Sequence, residues 1–572
     1  MRPIYRAAAL AAALLTSSFA LAQPAAPNGP MASADPVFSP ERYRSHVEFL
    51  ADDLLEGREA GTRGHQLAAL YVSEQFRVLG LKPAGENGTW FQAVKLQERS
   101  LTPGTPTTLA ISGVGEPQTF ANGGDLLLGA SALETTTRFA APLVFVGFGL
   151  DDKAHGLNDY RGLNVRGKIV VVLSGTPKGT PSEVGAHLNR EKAVTAMRHG
   201  AIGMITLDTN ISEGAFPWAK RVRSANLPSM TWVQADGAPY VRAPGIRASA
   251  SLDRAAAEAL FAGERRALEE IRAEADKQGG KPKGFVMKHK AAFDVSSSHR
   301  LLESPNVAGM LEGSDPTLKQ EVVVVMGHLD HLGTRPGNTG DKIYNGALDN
   351  ASGVAAVIET ARAFVDSGQR PRRSILFLAV TGEEKGLLGS DYFAEYPTVP
   401  IADIAGVVNI DMPILTYDFG DIIAYGADSS TLGAIVQRAA AQIGVGLSPD
   451  PQPEQGIFTR SDHYNLVRRG VPAVFLKTGP HDVAGTLAGA DADKDFRTKR
   501  YHEPGDDLSQ AIDWTVGAKF ARVNWLIARE IANSAERPRW YQGDFFGNLF
   551  AKGAPKAPKP VPPPAPALAP NT

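Results

Sequence analysis

The chain has 572 residues, a formal net charge of −2, 43% hydrophobic residues and no cysteine. Its length suits more than one domain, and its charge balance leaves no footprint for nucleic acid or an anionic membrane. Without cysteine there are no disulfides, thiolate nucleophiles or thiolate zinc sites, so a metal must be held by His, Asp and Glu.

The first segment, MRPIYRAAALAAALLTSSFALAQ, carries Arg2 and Arg6, a short apolar run and a small-residue ending at Ala22. It reads as a secretory signal peptide over residues 1–22, so export to a periplasm or the medium is expected. Residues 23–39 read as a Pro/Ala/Ser-rich linker. Residues 40–140 begin with helical periodicity in VEFLADDLLEG and LAALYVSEQFRVLGL. Residues 141–265 change character: APLVFVGFG, GKIVVVLSG and GAIGMITLD are short strands punctuated by glycine, with a helical NREKAVTAMRHG among them. This is the pattern of a small mixed β/α insert. RAAAEALFAGERRALEEIRAEADKQ reads as one amphipathic, solvent-facing helix.

In residues 266–540, EVVVVMG, SILFLAV, IAGVVNID, DIIAYG and VPAVFLK read as strands, with VAAVIETARAFVDSG and TLGAIVQRAAAQIG as helices between some of them. Unbroken apolar strands separated by helices predict an α/β fold, with a mainly parallel central sheet flanked by helices. Residues 541–572 end in KAPKPVPPPAPALAPNT and read as a disordered Pro/Ala-rich tail. No segment after the leader is apolar for long enough to span a bilayer.

In open parallel sheets, ligands bind beyond the carboxyl ends of the strands. EVVVVMG is followed by His328-Leu329-Asp330-His331, SILFLAV by Glu383-Glu384, and IAGVVNI by Asp411. Asp349 lies in a loop just before a helix, and His502 lies in RTKRYHEPGDD. One acid at a strand end is an ordinary turn residue. The set together is the donor inventory of a cysteine-free zinc site, in which carboxylate can bridge two ions. In HLD, Asp330 stands where its carboxylate would accept the free ring N–H of His328.

GHLDHLG, NGALDNASG, TGEEKGLLGS, NIDM and YHEPGDD together resemble the five metal-site motifs of the co-catalytic zinc exopeptidases. That family includes bacterial leucyl aminopeptidases, aminopeptidase Y and the glutamate carboxypeptidases. The resemblance extends over roughly residues 40–535, and residues 141–209 resemble the protease-associated domain often inserted in these enzymes. It implies the zinc exopeptidase fold and two Zn²⁺ ions per chain. Asp349 would bridge the ions, His328 and Asp411 would complete one, and Glu384 and His502 the other. It also implies that Glu383 is the general base, that Asp330 holds His328, and that the Asp349–Asn350 peptide is cis. Leu348 stands where the aminopeptidases carry an acid, a departure shared with the glutamate carboxypeptidases.

His331 is expected to support the site, and His463 to shape a pocket wall. His155, His187, His199 and His481 show no partner pattern. The function implied is an exported di-zinc aminopeptidase acting on peptides. The alternatives are a zinc carboxypeptidase or dipeptidase of the glutamate carboxypeptidase type, for which Arg460 is a possible carboxylate ligand, and a non-catalytic scaffold of the same fold.

Overall fold

The structure, a computed structural model, describes residues 35–215, 217–335 and 340–560. The expected leader and the end of the tail lie outside these residues, as does most of the linker.

The central sheet is built around four adjacent parallel strands, in the order Ala473–Thr478, Ile404–Ile410, Val322–His328 and Ser374–Val380. Antiparallel pairings extend it on both sides: Asp421–Tyr425 joins at one edge, and the long strand Phe285–Leu311 at the other. Every residue of Val322–His328, Ser374–Val380 and Ile404–Ile410 is buried, as continuous apolar runs require. Successive side chains point to opposite faces, so these strands feed two cores. Val323, Val325, Ile375 and Phe377 pack toward helices Pro40–Leu50, Ser352–Asp366 and Trp514–Asn533. Val322, Val324, Leu376 and Leu378 pack toward Phe393, Leu466 and Phe546.

The long strand Phe285–Leu311 runs on into a second sheet, where its first half pairs with Thr136–Phe145 and Thr108–Ser112. Ile169–Leu173, Gly203–Leu207 and Ala248–Leu252 continue that sheet in parallel. Its apolar core gathers residues from Leu109 to Val295, reaching beyond the expected 141–265 at both ends.

Two expectations are corrected. The helix expected across RAAAEALFAGERRALEEIRAEADKQ is two helices, Arg254–Phe261 and Leu268–Ala275. Gly263, at φ +71°, turns the chain between them, and both bury a face through Leu260 and Ile271 rather than lying free in solvent. Residues 541–560 are not a structureless tail. Asp544 caps the helix Phe545–Phe550, Phe546 is buried, and the Trp540 indole donates to the Gly470 carbonyl at 2.8 Å. The aromatic run WYQGDFFGNLF supplies apolar area that the proline-rich stretch after it lacks. Among the described residues no helix is long and apolar enough to cross a membrane.

Candidate metal centre

The carboxyl ends of three adjacent strands form one rim. His328 ends its strand, Glu383 and Glu384 follow Val380, and Asp411 follows Ile410. Asp349 enters from the buried turn before helix Ser352–Asp366, and His502 from the loop after helix Ala488–Lys499. The Asp349–Asn350 peptide is cis. Gly346, at φ +62°, has no room for a side chain: a Cβ there would lie 2.1 Å from the Asp349 carbonyl and 2.5 Å from the His331 ring.

The donor atoms converge. His328 Nε2 lies 3.2 Å from Asp349 Oδ1 and 3.4 Å from Asp411 Oδ1. His502 Nε2 lies 3.3 Å from Asp349 Oδ2 and 3.2 Å from Glu384 Oε2. Ligands about 2.0–2.1 Å from a tetrahedral zinc stand roughly 3.3 Å from one another, so these separations fit donors around an ion. Each oxygen of Asp349 faces a different histidine, as a carboxylate shared by two ions would. His328, Asp349 and Asp411 form one compact donor group, and His331, Asp349 and Glu384 a second.

Charge makes the same demand. Asp349 and Glu384 are buried, yet the histidines beside them hold both carboxyls below the usual carboxylate range against the cost of burial. Asp411, Glu383 and Asp349 outweigh burial at His328 and raise it well above an ordinary imidazole; Glu384, Tyr501 and Asp349 do so at His502. Buried carboxylates this dense need compensating positive charge, and divalent cations supply it.

Glu383 belongs to the cleft but to neither donor group. Burial, reinforced by Glu384, Asp411 and Asp462, drives its carboxyl well above the usual range despite His328. Its position beside the donor groups, lining the same cleft, is where a general base would stand.

Asp330 differs from expectation. Its carboxylate is 4.0 Å from His328 Nδ1, and the ring contact at 3.1 Å is to its backbone carbonyl. The carboxylate accepts the backbone N–H groups of Glu383 and Glu384 instead, at 3.0 and 3.3 Å. Burial pushes this carboxyl up to about 6. Asp330 therefore orients His328 through its main chain and anchors the two-glutamate turn through its side chain.

His331 is fully buried and closer to the metal residues than a support need be, with Nδ1 2.7 Å from Glu384 Oε1. His463 is driven down to about 3 by burial and packs its ring against Phe458 and Phe475, so it stays neutral behind the pocket wall. The four histidines without a partner pattern in the sequence each have one in the structure: His155 with Asp152, His187 with Tyr464, His199 with Asp151 and His481 with Asp421.

Two supporting residues were not singled out from the sequence. Arg58, 1% exposed, donates to the carbonyls of Leu329, Asn345, Gly346 and Leu50, tying the His328 loop to the Asp349 loop. Asp506 accepts the backbone N–H groups of Leu348 and Asp349 at 3.0 Å each. Asp506 sits in YHEPGDD, whose acid pair is a visible signal. Arg58 had none, because its partners are up to 288 residues away in the chain.

A mainly parallel α/β sheet with these donors along its carboxyl rim is the zinc exopeptidase fold. An aminopeptidase from Aneurinibacillus sp. strain AM-1 shares it, with a TM-score of 0.51 and 20% identity over 87% of this chain and 95% of that one. More particularly, residues 306–528, which include His328, Asp349, Glu383, Glu384, Asp411 and His502, match the family model described as Peptidase family M28. The chain is also 30% identical over 263 residues to a probable zinc metalloprotease of Pyricularia oryzae, covering 41% of this chain and 51% of that protein. It is 30% identical over 229 residues to leupeptin-inactivating enzyme 1 of Streptomyces exfoliatus, covering 36% and 47%. The chain thus spans about half the length of these curated relatives.

Proposed function

We propose that the protein is an exported di-zinc aminopeptidase that releases N-terminal residues from peptides. The observation carrying this reading is the placement of Asp349, with one oxygen toward His328 and the other toward His502. His328 and Asp411 would hold one ion, and Glu384 and His502 the other. His331 is in reach of the second group. Bound zinc would supply Lewis acidity and bring the pKa of water down to about 7.

The chain's own residues supply the rest. Glu383 takes a proton from the attacking water and returns it to the leaving amine. Asp330 fixes Glu383 by holding its backbone N–H, so the base is positioned before substrate arrives. Met412, Ile457, Phe475 and Tyr501 line the cleft beside His328, Asp349, Asp411 and His502 and give one part of it an apolar wall.

The names of the similar proteins support a zinc-dependent peptidase. The choice of exopeptidase end is tested by offering zinc-loaded protein matched peptides with free and N-acetylated amino termini. Free-amine peptides should turn over, and acetylated ones should not. Cleavage of N-acetylated dipeptides alone would transfer the reading to the carboxypeptidase side. Export is tested by mass spectrometry of mature protein from its natural host. Its first residue should be Gln23, and an intact Met1 terminus in the cytosol would refute it.

A further inference from the structure

Three basic side chains line the cleft beside the metal residues. They are Arg460, Lys477 and Arg497, and among the described residues the lining carboxylates are Asp349 and Asp411 of the donor groups and Glu383 beside them. Lys477 is the unusual member, being 5% exposed. Its strand pairs in parallel with that of Asp411, with Ile410 opposite Leu476, so Lys477 stands level with Asp411 at the same rim. Phe475, two residues earlier, shares its face and also lines the cleft; the Lys477 ammonium lies 5.9 Å from that ring's centroid. Among the described residues no carboxylate lies within ion-pair distance of Lys477. Arg497 comes from the helix Ala488–Lys499 that leads into His502, and Asp493 supports it from the same helix at 2.7 Å.

We infer that this wall is a substrate subsite for a carboxylate, in which Lys477, flanked by Arg497 and Arg460, binds an acidic group next to the scissile bond. The inference rests on the peptidase reading given above and names the substrate class within it. Its physical basis is the cost of a buried cation without a counter-charge. Burial, together with Arg497, already draws the Lys477 ammonium down to about 8, while Asp493, Asp411 and Asp349 pull the other way. A substrate carboxylate would offset that cost with charge-assisted hydrogen bonds. An uncharged substrate filling the cleft would take water from Lys477 and offer no charge in return.

Two sources of the carboxylate fit this chemistry, an acidic side chain on the N-terminal residue and the free C-terminus of a dipeptide. Hydrolysis of Glu-Ala-amide against Gln-Ala-amide reads the first, and Ala-Leu against Ala-Leu-amide the second. Calorimetric binding of glutamate against glutamine, and of leucine against leucinamide, to the zinc-loaded protein gives a readout independent of turnover. In at least one arm the acid should be favoured about tenfold to a hundredfold, chiefly through KM and Kd. Lys477→Met, which keeps the apolar stem, and Arg497→Gln should each reduce that ratio. Equal preference for acid and amide in both arms, or ratios unchanged in both variants, would overturn the subsite. Failure to cleave any peptide would overturn the peptidase reading instead, and the binding ratios would still decide the subsite.

Discussion

Glu383→Gln is expected to lose about a hundredfold to ten-thousandfold of kcat while binding the same zinc as the parent. General acid–base catalysis contributes that range, and glutamine keeps the size of glutamate but cannot take the proton. Zinc content should hold because Glu383 is in neither donor group. Glu384→Gln should fail differently. Glu384 Oε2 lies 3.2 Å from His502 Nε2 among the donor atoms, so losing its charge should weaken zinc binding, with activity recovering in part at high zinc. Zinc titration beside steady-state kinetics separates the two variants. A Glu383→Gln protein at full turnover would remove Glu383 from the reaction, and an unchanged zinc affinity in Glu384→Gln would remove Glu384 from the metal site.

Arg58→Met should cost the fold about 3 kcal/mol or more, and loosen the metal site with it. Methionine fills part of the buried space but leaves the carbonyls of Leu50, Leu329, Asn345 and Gly346 without the donor that Arg58 provides. Each buried acceptor left unsatisfied costs about 1–3 kcal/mol, and the effects are not fully additive. Two of those carbonyls belong to the loop before Asp349, and Leu329 adjoins His328. The same variant should therefore bind zinc more weakly, although Arg58 touches no donor atom. Denaturant unfolding of the metal-free protein and zinc affinity together check this. A variant as stable as the parent, with unchanged affinity, would show that the two loops hold their positions without the guanidinium.

The parts of the molecule legible in the sequence were those specified locally. EVVVVMG, SILFLAV and IAGVVNI are continuous apolar runs because both faces of their sheet are covered. The acids and histidines stand out because each follows such a run within a few residues. What was hidden depends on contacts between distant segments. Asp330 lies beside His328 in sequence, which suggested its ring partner, but its carboxylate meets a turn 53 residues further on. The break at Gly263 was visible as a residue, yet the two helices it separates were fixed by burial against the second core. Phe546 is hidden in the sequence because the proline-rich composition beyond it dominates residues 541–572, whereas its burial depends on contacts with distant segments. Lys477 closes the run VPAVFLK, which signals a strand and nothing more. Only the register with Asp411 turns it toward the metal rim.

The most direct test of the account is to strip the protein of metal, add zinc in measured equivalents, and follow hydrolysis of a free-amine peptide together with bound zinc. The account predicts no turnover in the metal-free protein and activity that saturates when two zinc ions per chain are bound. A protein that binds two ions yet cleaves no peptide, or one fully active with no zinc bound, would contradict it.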